Sequence, residues 1–241
     1  MRLDVALVER GLARSRTQAA RLLAEGRVTL NGAPAAKAST PVHDGDEVAA
    51  VEERWVSRAA HKLLGALDDS GLAVPRRVLD AGASTGGFTQ VCLDRGAERV
   101  YAVDVGHGQL AATVAADPRV IVHEGLNLRD LTLDHLDGVP VDLVVGDVSF
   151  ISLTLLLPRL LCALAQDGEA LLLVKPQFEV GRERLGRGGV VRDPALREQA
   201  VAGVVVAAEA LGWCERWRGE SRLPGASGNV EYFVRLNQPQ R

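Results

Sequence analysis

Two charged residues stand directly after predicted buried strands, where a protein can place chemistry. Asp147 follows the apolar run VDLVVG, and Lys175 follows ALLLV, with Pro176 stopping the strand just behind the lysine. In open α/β sheets the carboxyl ends of the strands form the edge at which ligands bind. A lysine near a carboxylate can orient a hydroxyl group and move a proton. The alternative for Lys175 is a solvated strand end, and Glu231, in SGNVEYFV, is a weaker third candidate.

A glycine-rich turn, DAGASTGGFT at residues 80–89, follows another predicted strand. Its glycines permit a tight turn and close approach of a ligand, but G-x-x-x-G-G is not the G-x-G-x-x-G of dinucleotide sites. Asp104 ends the next predicted strand, 24 residues after Asp80, and can accept both hydroxyls of a ribose. An acid at the turn repels a pyrophosphate and suits a cationic sulfonium, so S-adenosyl-L-methionine is favoured over NAD.

The elements that must position these residues alternate between β-rich runs and helical patterns. The predicted strands cover residues 78–80, 100–104, 120–123, 141–146 and 170–174, with a closing strand at 230–236. Near-continuous apolar strands indicate a parallel sheet covered by helices on both faces. Before the first strand, Ser57 is a predicted N-cap for a helix through about Asp69, on which Arg58 and Lys62 share one face.

The front of the chain has a different charge balance. The whole chain carries 28 basic and 31 acidic residues, a net charge of −3, whereas residues 1–40 carry seven basic and three acidic residues, a local charge of +4. Two short helices are predicted there, the second capped by Ser15, followed by a hairpin at Asn31-Gly32. A basic front end indicates a polyanionic partner. The alternative is a small domain whose arginines are merely solvated.

The front segment LVERGLARSRTQAARLLAEGRVTLNG resembles the RNA-binding domain first seen in small-subunit ribosomal protein four. Together with WVSRAAHKL, DAGASTGGFT, DVSFISL, VKPQFEVG, GGVVRD and LPGASGNVEYF, the chain resembles the TlyA family of ribosomal RNA 2′-O-methyltransferases, also labelled hemolysins. The resemblance implies an S-four-like domain at residues 1–51, a linker at 52–56 and an FtsJ-like methyltransferase domain at 57–241. It also implies a Rossmann-like α/β fold with a mostly parallel seven-stranded sheet.

The same resemblance implies the activity, which is 2′-O-methylation of cytidine ribose in ribosomal RNA with S-adenosyl-L-methionine as cofactor. The short ends of the chain favour a subtype acting on large-subunit RNA, with small-subunit RNA as an open second target. The order Lys, Asp, Lys, Glu resembles an FtsJ-type catalytic tetrad. The residues it assigns to catalysis are Lys62, Asp147, Lys175 and Glu231.

The predicted cofactor-binding residues combine the glycine turn with the strand ends. Asn127, after the third strand, can reach an adenine edge, while Ser84 and Thr85 have the alternative of simply capping the turn. The full predicted set is Asp80, Gly82, Ser84, Thr85, Gly86, Gly87, Phe88, Asp104, Asn127 and Asp147.

RNA contacts are predicted from arginines in two regions, the front helices and a glycine- and arginine-rich stretch between Gln177 and Asp193. We expect this stretch to close over RNA beside Lys175, and the alternative is a disordered surface loop. The predicted RNA-binding residues are Arg14, Arg16, Arg21, Arg58, Arg182, Arg184 and Arg187.

Other classes of protein fit the sequence less well. The three cysteines are isolated, which indicates a reducing compartment, and their spacing predicts no metal site. Charged residues interrupt any signal peptide and no long apolar run follows, so a cytoplasmic protein without a membrane or an obligate protein partner is expected. Two rivals remain open. One is a non-catalytic RNA-binding protein on a methyltransferase scaffold, and the other is a membrane-active hemolysin.

Overall fold

A computed structural model describes residues 1–13, 15–24, 26–51, 54–186 and 188–239 of the chain. It divides into two units, Met1–Arg54 and Trp55–Arg241. Two predicted RNA-binding residues, Arg14 and Arg187, lie outside the described residues. Within the described ranges, no helix is long and apolar enough to cross a membrane.

The first unit contains two helices and a small antiparallel sheet. Its elements are α1 (Leu3–Glu9), α2 (Arg16–Ala24), β1 (Val28–Leu30), β2 (Ala33–Pro34) and β3 (Val48–Ala50), with the strand order β2-β1-β3. Asn31 and Gly32 have φ of 53° and 77°, the left-handed pair that a tight hairpin requires. The backbone N–H of Gln18 donates to Ser15 Oγ at 3.2 Å, so the predicted hairpin and cap are both present.

The second unit is a seven-stranded sheet with helices on both faces. Its elements are α3 (Ala59–Ser70), β4 (Arg77–Ala81), α4 (Gly87–Asp94), β5 (Arg99–Asp104), α5 (Ala112–Ala115), β6 (Val120–Glu124), β7 (Val141–Gly146), α6 (Leu157–Cys162), β8 (Leu164–Val174), α7 (Pro176–Glu179), α8 (Pro194–Glu209), β9 (Cys214–Glu220) and β10 (Tyr232–Asn237). The strand order is β6-β5-β4-β7-β8-β10-β9. Strands β4 to β8 pair in parallel, whereas β10 is antiparallel to both β8 and β9.

Alternate residues of the central strands enter two separate cores. Leu171 and Leu173 of β8 pack with α3 and α4, whereas Leu172 and Val174 pack with α6 and α8 on the opposite face. Burial on both faces is the reason that these strands read as continuous apolar runs. The α/β architecture expected from the sequence is therefore confirmed.

Two details differ from the sequence-based expectations. Strand β9, with the sequence CERWRGE, was not predicted, because a charged and half-buried edge strand lacks an apolar run. The N-cap prediction for Ser57 is wrong. Helix α3 has Arg58 at its N-cap position without a side-chain cap. The Ser57 hydroxyl lies against Gly87 instead, where a Cβ on that glycine would come within 2.3 Å of Oγ.

Candidate active site

Strand register brings candidate residues from β7, β8 and β10 to one edge of the sheet. Tyr232 pairs with Val174 in the antiparallel β10–β8 ladder, so the residues just beyond them, Glu231 and Lys175, flank the same ladder end. Ala81 pairs with Gly146 in the parallel β4–β7 ladder, and the N–H of Asp147 donates to Ala81 O at 3.1 Å. The chain order β4, β5 on one side and β7 on the other makes this edge a topological switch point.

Four charged side chains form two lysine–carboxylate pairs at this edge. Lys62 Nζ, from α3, donates to Glu231 Oε2 at 2.6 Å, and the two side chains are only 6% and 3% exposed. Lys175 Nζ lies 2.7 Å from Asp147 Oδ1, an ion-pair contact outside hydrogen-bond angles, and donates to Ser149 Oγ at 2.6 Å. All four side chains line one cavity of about 780 Å³.

A second cavity, of about 510 Å³, shares part of its wall with the first. Gly82, Ser84, Asp147 and the segment 149–151 line both. The second cavity is lined by leucine and valine side chains and also by Asp104 and Asn127. The two cavities therefore place the lysine–carboxylate pairs on one side of the glycine turn and the predicted ribose and adenine contacts on the other.

The glycine turn fits closely against the end of β7. Gly82 has φ of +85°, and a Cβ there would come within 3.1 Å of the Asp147 carbonyl oxygen. The N–H of Gly82 donates to Val103 O at 2.9 Å, which holds the turn beside the end of β5. A residue without a side chain is required here both for the backbone angle and for the space.

The predicted ribose and adenine contacts are both oriented by local hydrogen bonds. Asp104 Oδ2 accepts from the N–H of Ser84 at 2.8 Å, and Oδ1 accepts from the N–H of Gly106 at 2.7 Å. Asn127 Oδ1 accepts from the N–H of Arg129 at 3.0 Å. A carboxylate oxygen can accept further bonds, so Asp104 keeps capacity for ribose hydroxyls.

Asp80 lies beneath the turn and lines neither cavity. Its side chain is fully buried, its Oδ2 accepts from Thr89 Oγ1 at 2.6 Å, and its Oδ1 has no hydrogen-bond partner among the described residues. Burial, opposed by the Thr89 hydrogen bonds, raises the pKa of Asp80 to about 7. The side chain of Asp80 is therefore buried beneath the turn, and the contact with a cofactor expected from the sequence stays a prediction.

The buried carboxyl of Asp80 gives a prediction for stability against pH. Its pKa is above the unfolded value of 3.8, so the folded state retains the proton longer and loses stability as pH rises from about 4 to about 7. At about 1.4 kcal/mol per tenfold change in proton affinity, the loss is about 4 kcal/mol. Asp80→Asn should remove this pH dependence. In urea unfolding, the free energy of unfolding of the variant relative to that of the wild type should therefore increase from about pH 4 to about pH 7. A constant difference from pH 4 to pH 8 would contradict the prediction.

The other predicted cofactor residues divide between the cavities and the core. Thr85, Gly87 and Phe88 line the larger cavity, with Phe88 stacked on Phe233. Gly86 lines neither cavity, because it is the N-cap of α4, where a Cβ would meet Leu110 Cδ1 at 2.8 Å. Its φ of +92° lies in the left-handed region, so the backbone conformation favours glycine here, and the nearby Leu110 adds a packing constraint.

The predicted RNA-binding arginines have varied surroundings. Arg58 lines the larger cavity and donates to Pro224 O at 3.2 Å. Arg16 forms an ion pair with Asp4 at 2.8 Å, and Arg184 donates to Gln199 at 3.3 Å. Arg21 lies in the last turn of α2, and Arg182 begins a short 3-10 helix.

An aromatic pair at the mouth of the larger cavity was missed by the sequence reasoning. Phe150 is 92% exposed and has φ of +65°, an uncommon conformation for a bulky residue. Its ring centroid lies 5.4 Å from that of Phe178, and Lys175 Nζ lies 6.0 Å from the Phe178 ring. The available signal was the matched spacing of D-x-x-F and K-x-x-F after the two strands.

Comparison with known proteins agrees with the two units. The protein-family model for FtsJ-like methyltransferases matches residues 55–238, and the family model for the S4 domain matches residues 1–48. A 16S/23S rRNA (cytidine-2′-O)-methyltransferase TlyA from Mycobacterium tuberculosis is 54% identical over 239 residues, which is 98% of this chain and 89% of the relative. A putative rRNA methyltransferase from Bacillus subtilis is 40% identical over 99% of this chain and 86% of its own.

A solved structure covers both units. The putative hemolysin from Streptococcus thermophilus aligns over 100% of this chain and 89% of its own with a TM-score of 0.77 and 38% identity. Its alignment covers both units of this chain.

Proposed function

The chain belongs to the FtsJ-like methyltransferase family, and from that premise we propose that it methylates the ribose 2′-hydroxyl of cytidine in ribosomal RNA, using S-adenosyl-L-methionine. The observation that carries the proposal is the meeting of Lys62, Asp147, Lys175 and Glu231 in one cavity beside a glycine turn. Large-subunit RNA is the proposed target, with small-subunit RNA as a second one. Residues 1–51 would bind RNA and residues 57–241 would carry the chemistry, joined by residues 52–56.

The smaller cavity suits the nucleoside part of the cofactor. Asp104 would accept the ribose hydroxyls, Asn127 would contact the adenine edge, and the backbone at Gly82 and Ser84 would approach the amino-acid part. Its leucine and valine walls suit an apolar base face. When bound, S-adenosyl-L-methionine supplies an electrophilic methyl group on a cationic sulfonium, which the carboxylate of Asp147 at the junction of the cavities would favour.

Lys175 is the proposed residue that orients the target hydroxyl. Its Nζ forms an ion pair with Asp147 and donates one hydrogen bond to Ser149, so the ammonium group keeps N–H capacity to bind a ribose oxygen. As an ammonium, Lys175 would polarise the hydroxyl and stabilise the negative charge that develops on the oxygen. As a neutral amine, it would instead accept the hydroxyl proton while the oxygen attacks the methyl carbon. Lys62 and Glu231 form an ion pair whose charges cancel, and this pair lines the same cavity. It would adjust the electrostatic potential at Lys175. Holding the ribose 2′-oxygen, the methyl carbon and the sulfonium sulfur in line would account for much of the rate enhancement.

The RNA is proposed to contact both aromatic and basic groups. Phe150 presents a free ring face at the cavity mouth on which a nucleobase can stack, and single-stranded RNA is commonly recognised in this way. Arg58 lies on the same cavity and can bind a phosphate. The arginines of the front unit and of the stretch after Gln177 would add contacts of the same kind. The proposal includes presentation of the RNA within ribosomal subunits, and therefore a protein that acts in the cytoplasm.

The test is methyl transfer to isolated ribosomal subunits. Subunits from cells lacking this protein would be incubated with the purified chain and labelled S-adenosyl-L-methionine, and 2′-O-methyl marks would then be mapped in both RNAs. We expect a new mark on a cytidine ribose in the large-subunit RNA. If subunits bind the chain but gain no label, the non-catalytic binding role replaces the enzymatic one. Lysis of erythrocytes without RNA methylation would favour the hemolysin.

A further inference from the structure

A carboxylate outside the tetrad joins the two catalytic strand ends. Glu179 is the last residue of α7, the short helix that begins directly after Lys175. Its Oε2 accepts from Ser152 Oγ at 2.6 Å, and its Oε1 accepts from the N–H of Leu153 at 2.7 Å. Ser152 Oγ also lies 2.6 Å from Thr154 Oγ1, so a chain of hydroxyls ends on this carboxylate. Both oxygens of Glu179 are therefore used to hold residues that follow β7.

The segment held in this way is the loop 147–151. At its start, Asp147 is fixed to β4 by the 3.1 Å bond to Ala81 O, and at its end Ser152 and Leu153 are fixed by Glu179. Between these two anchors lie Ser149, which accepts from Lys175, and Phe150. The loop thus carries Ser149, which contacts Lys175, and Phe150, whose ring lies beside Phe178 near the same lysine.

The loop contains backbone strain that requires such an anchor. A phenylalanine at φ of +65° is held in a sparsely populated conformation, which costs about 1–3 kcal/mol and persists only where the surroundings enforce it. The ring of Phe150 is almost wholly exposed, so core packing of that side chain does not enforce it. After Phe150, Ile151 packs against the core, and the first hydrogen bonds that hold the chain there are the two made by Glu179 to Ser152 and Leu153.

We propose that Glu179 is a positioning residue for methyl transfer, which fixes the loop 147–151 so that Ser149 and Phe150 face Lys175 and the RNA. The proposal rests on the proposed methyltransferase function. Burial raises the pKa of Glu179, which agrees with a carboxyl group drawn into the protein to make these two contacts. Lys175, directly before α7, and Glu179, at its end, both form hydrogen bonds to the segment that follows β7.

Two substitutions at Glu179 compare a side chain that keeps the hydrogen bonds with one that loses them. In Glu179→Gln the amide oxygen can accept from the N–H of Leu153, and the amide nitrogen can donate to Ser152, whose hydroxyl then donates to Thr154. Glu179→Ala removes both contacts. We expect Ala to lower kcat by about tenfold or more, as misplaced reacting groups do, while Gln stays within about threefold of the wild type. The Kd for S-adenosyl-L-methionine should change less than kcat, because Asp104 and the glycine turn are held by other bonds.

A double-mutant cycle tests whether Glu179 acts through the loop. In a Phe150→Ala background, Glu179→Ala should have a much smaller effect on kcat than in the wild type, since residues coupled through one segment are not additive. Glu209→Ala, at the exposed end of α8, removes the same charge at a distance and serves as the matched control.

Each outcome decides the proposal. Full turnover of Glu179→Ala, equal losses in Ala and Gln, or strict additivity with Phe150→Ala would overturn it. If the alanine variant does not fold, Ser152→Ala removes one of the two contacts and should give a smaller loss of kcat, and an unchanged kcat there would also overturn it. Absence of methyl transfer by the wild type is a different result, because it rejects the proposed function itself.

Discussion

Replacing Lys175 with alanine is expected to abolish methyl transfer while leaving cofactor affinity nearly unchanged. The ammonium group is held by Asp147 and Ser149 in the cavity where the target hydroxyl would lie. Loss of a group that orients the nucleophile and accepts its proton typically lowers the rate by about 10² to 10⁴. Single-turnover methylation of ribosomal subunits measures the rate, and calorimetric titration with S-adenosyl-L-methionine measures the affinity.

Lys175→Arg distinguishes the two roles of the lysine. An arginine keeps the positive charge but does not release a proton at accessible pH, so it can orient the hydroxyl but cannot act as a base. If the lysine accepts the proton, the wild-type rate should rise with pH and the arginine variant should lose that dependence. Arg76→Ala, at an exposed ion pair with Glu98, is the control and should keep wild-type turnover. Full turnover of Lys175→Ala would remove this residue from the mechanism.

Breaking the buried pair between Lys62 and Glu231 is expected to have the largest effect on stability. Both side chains are almost fully buried, so Glu231→Ala leaves an uncompensated charge on Lys62. Removal of one partner of a buried pair destabilises by about 3–5 kcal/mol. Urea unfolding monitored by tryptophan fluorescence should show a loss of this size for Glu231→Ala. Methylation should fall as well under conditions in which the variant remains folded.

The double variant Lys62→Met/Glu231→Leu separates stability from activity. Replacing both charges with apolar groups of similar length removes the uncompensated charge, so much of the stability should return. Methylation should not return, because the pair is proposed to tune the field at Lys175. Arg95→Ala breaks an exposed pair with Asp68 and should change stability little. Recovery of full activity in the double variant would show that the pair is structural only.

The sequence predicted the parts of the site that follow from strand ends. Asp147 and Lys175 were identified because each ends a buried apolar run, and the parallel sheet brings such ends to one edge. Glu231 and Lys62 required the family resemblance. The contact between them depends on the register of β10 against β8 and on the packing of α3. The local periodicity of the sequence predicts neither. Their catalytic roles stay predictions.

Other features depend on tertiary packing that sequence patterns do not contain. The Ser57 cap failed because helix α3 has Arg58 at its N-cap position, and the Ser57 hydroxyl is buried against Gly87 with no hydrogen-bond partner among the described residues. Asp80 stands at the expected position along the chain, but the orientation of its side chain into the core was not predictable from spacing. Phe150 was missed because exposure of an aromatic ring depends on a left-handed backbone angle within a short loop.

The antiparallel strand β10 lies between β8 and β9, so the sheet of the second unit is closed by the part of the chain that is synthesised after all other strands. Until residues 232–237 emerge, β8 presents an unpaired edge, which is a template for pairing with other chains. Lys62 also lacks its carboxylate partner during that interval. We therefore expect the sheet of this unit to be completed late, because long-range strand pairing slows folding and leaves strand edges exposed to aggregation in the meantime.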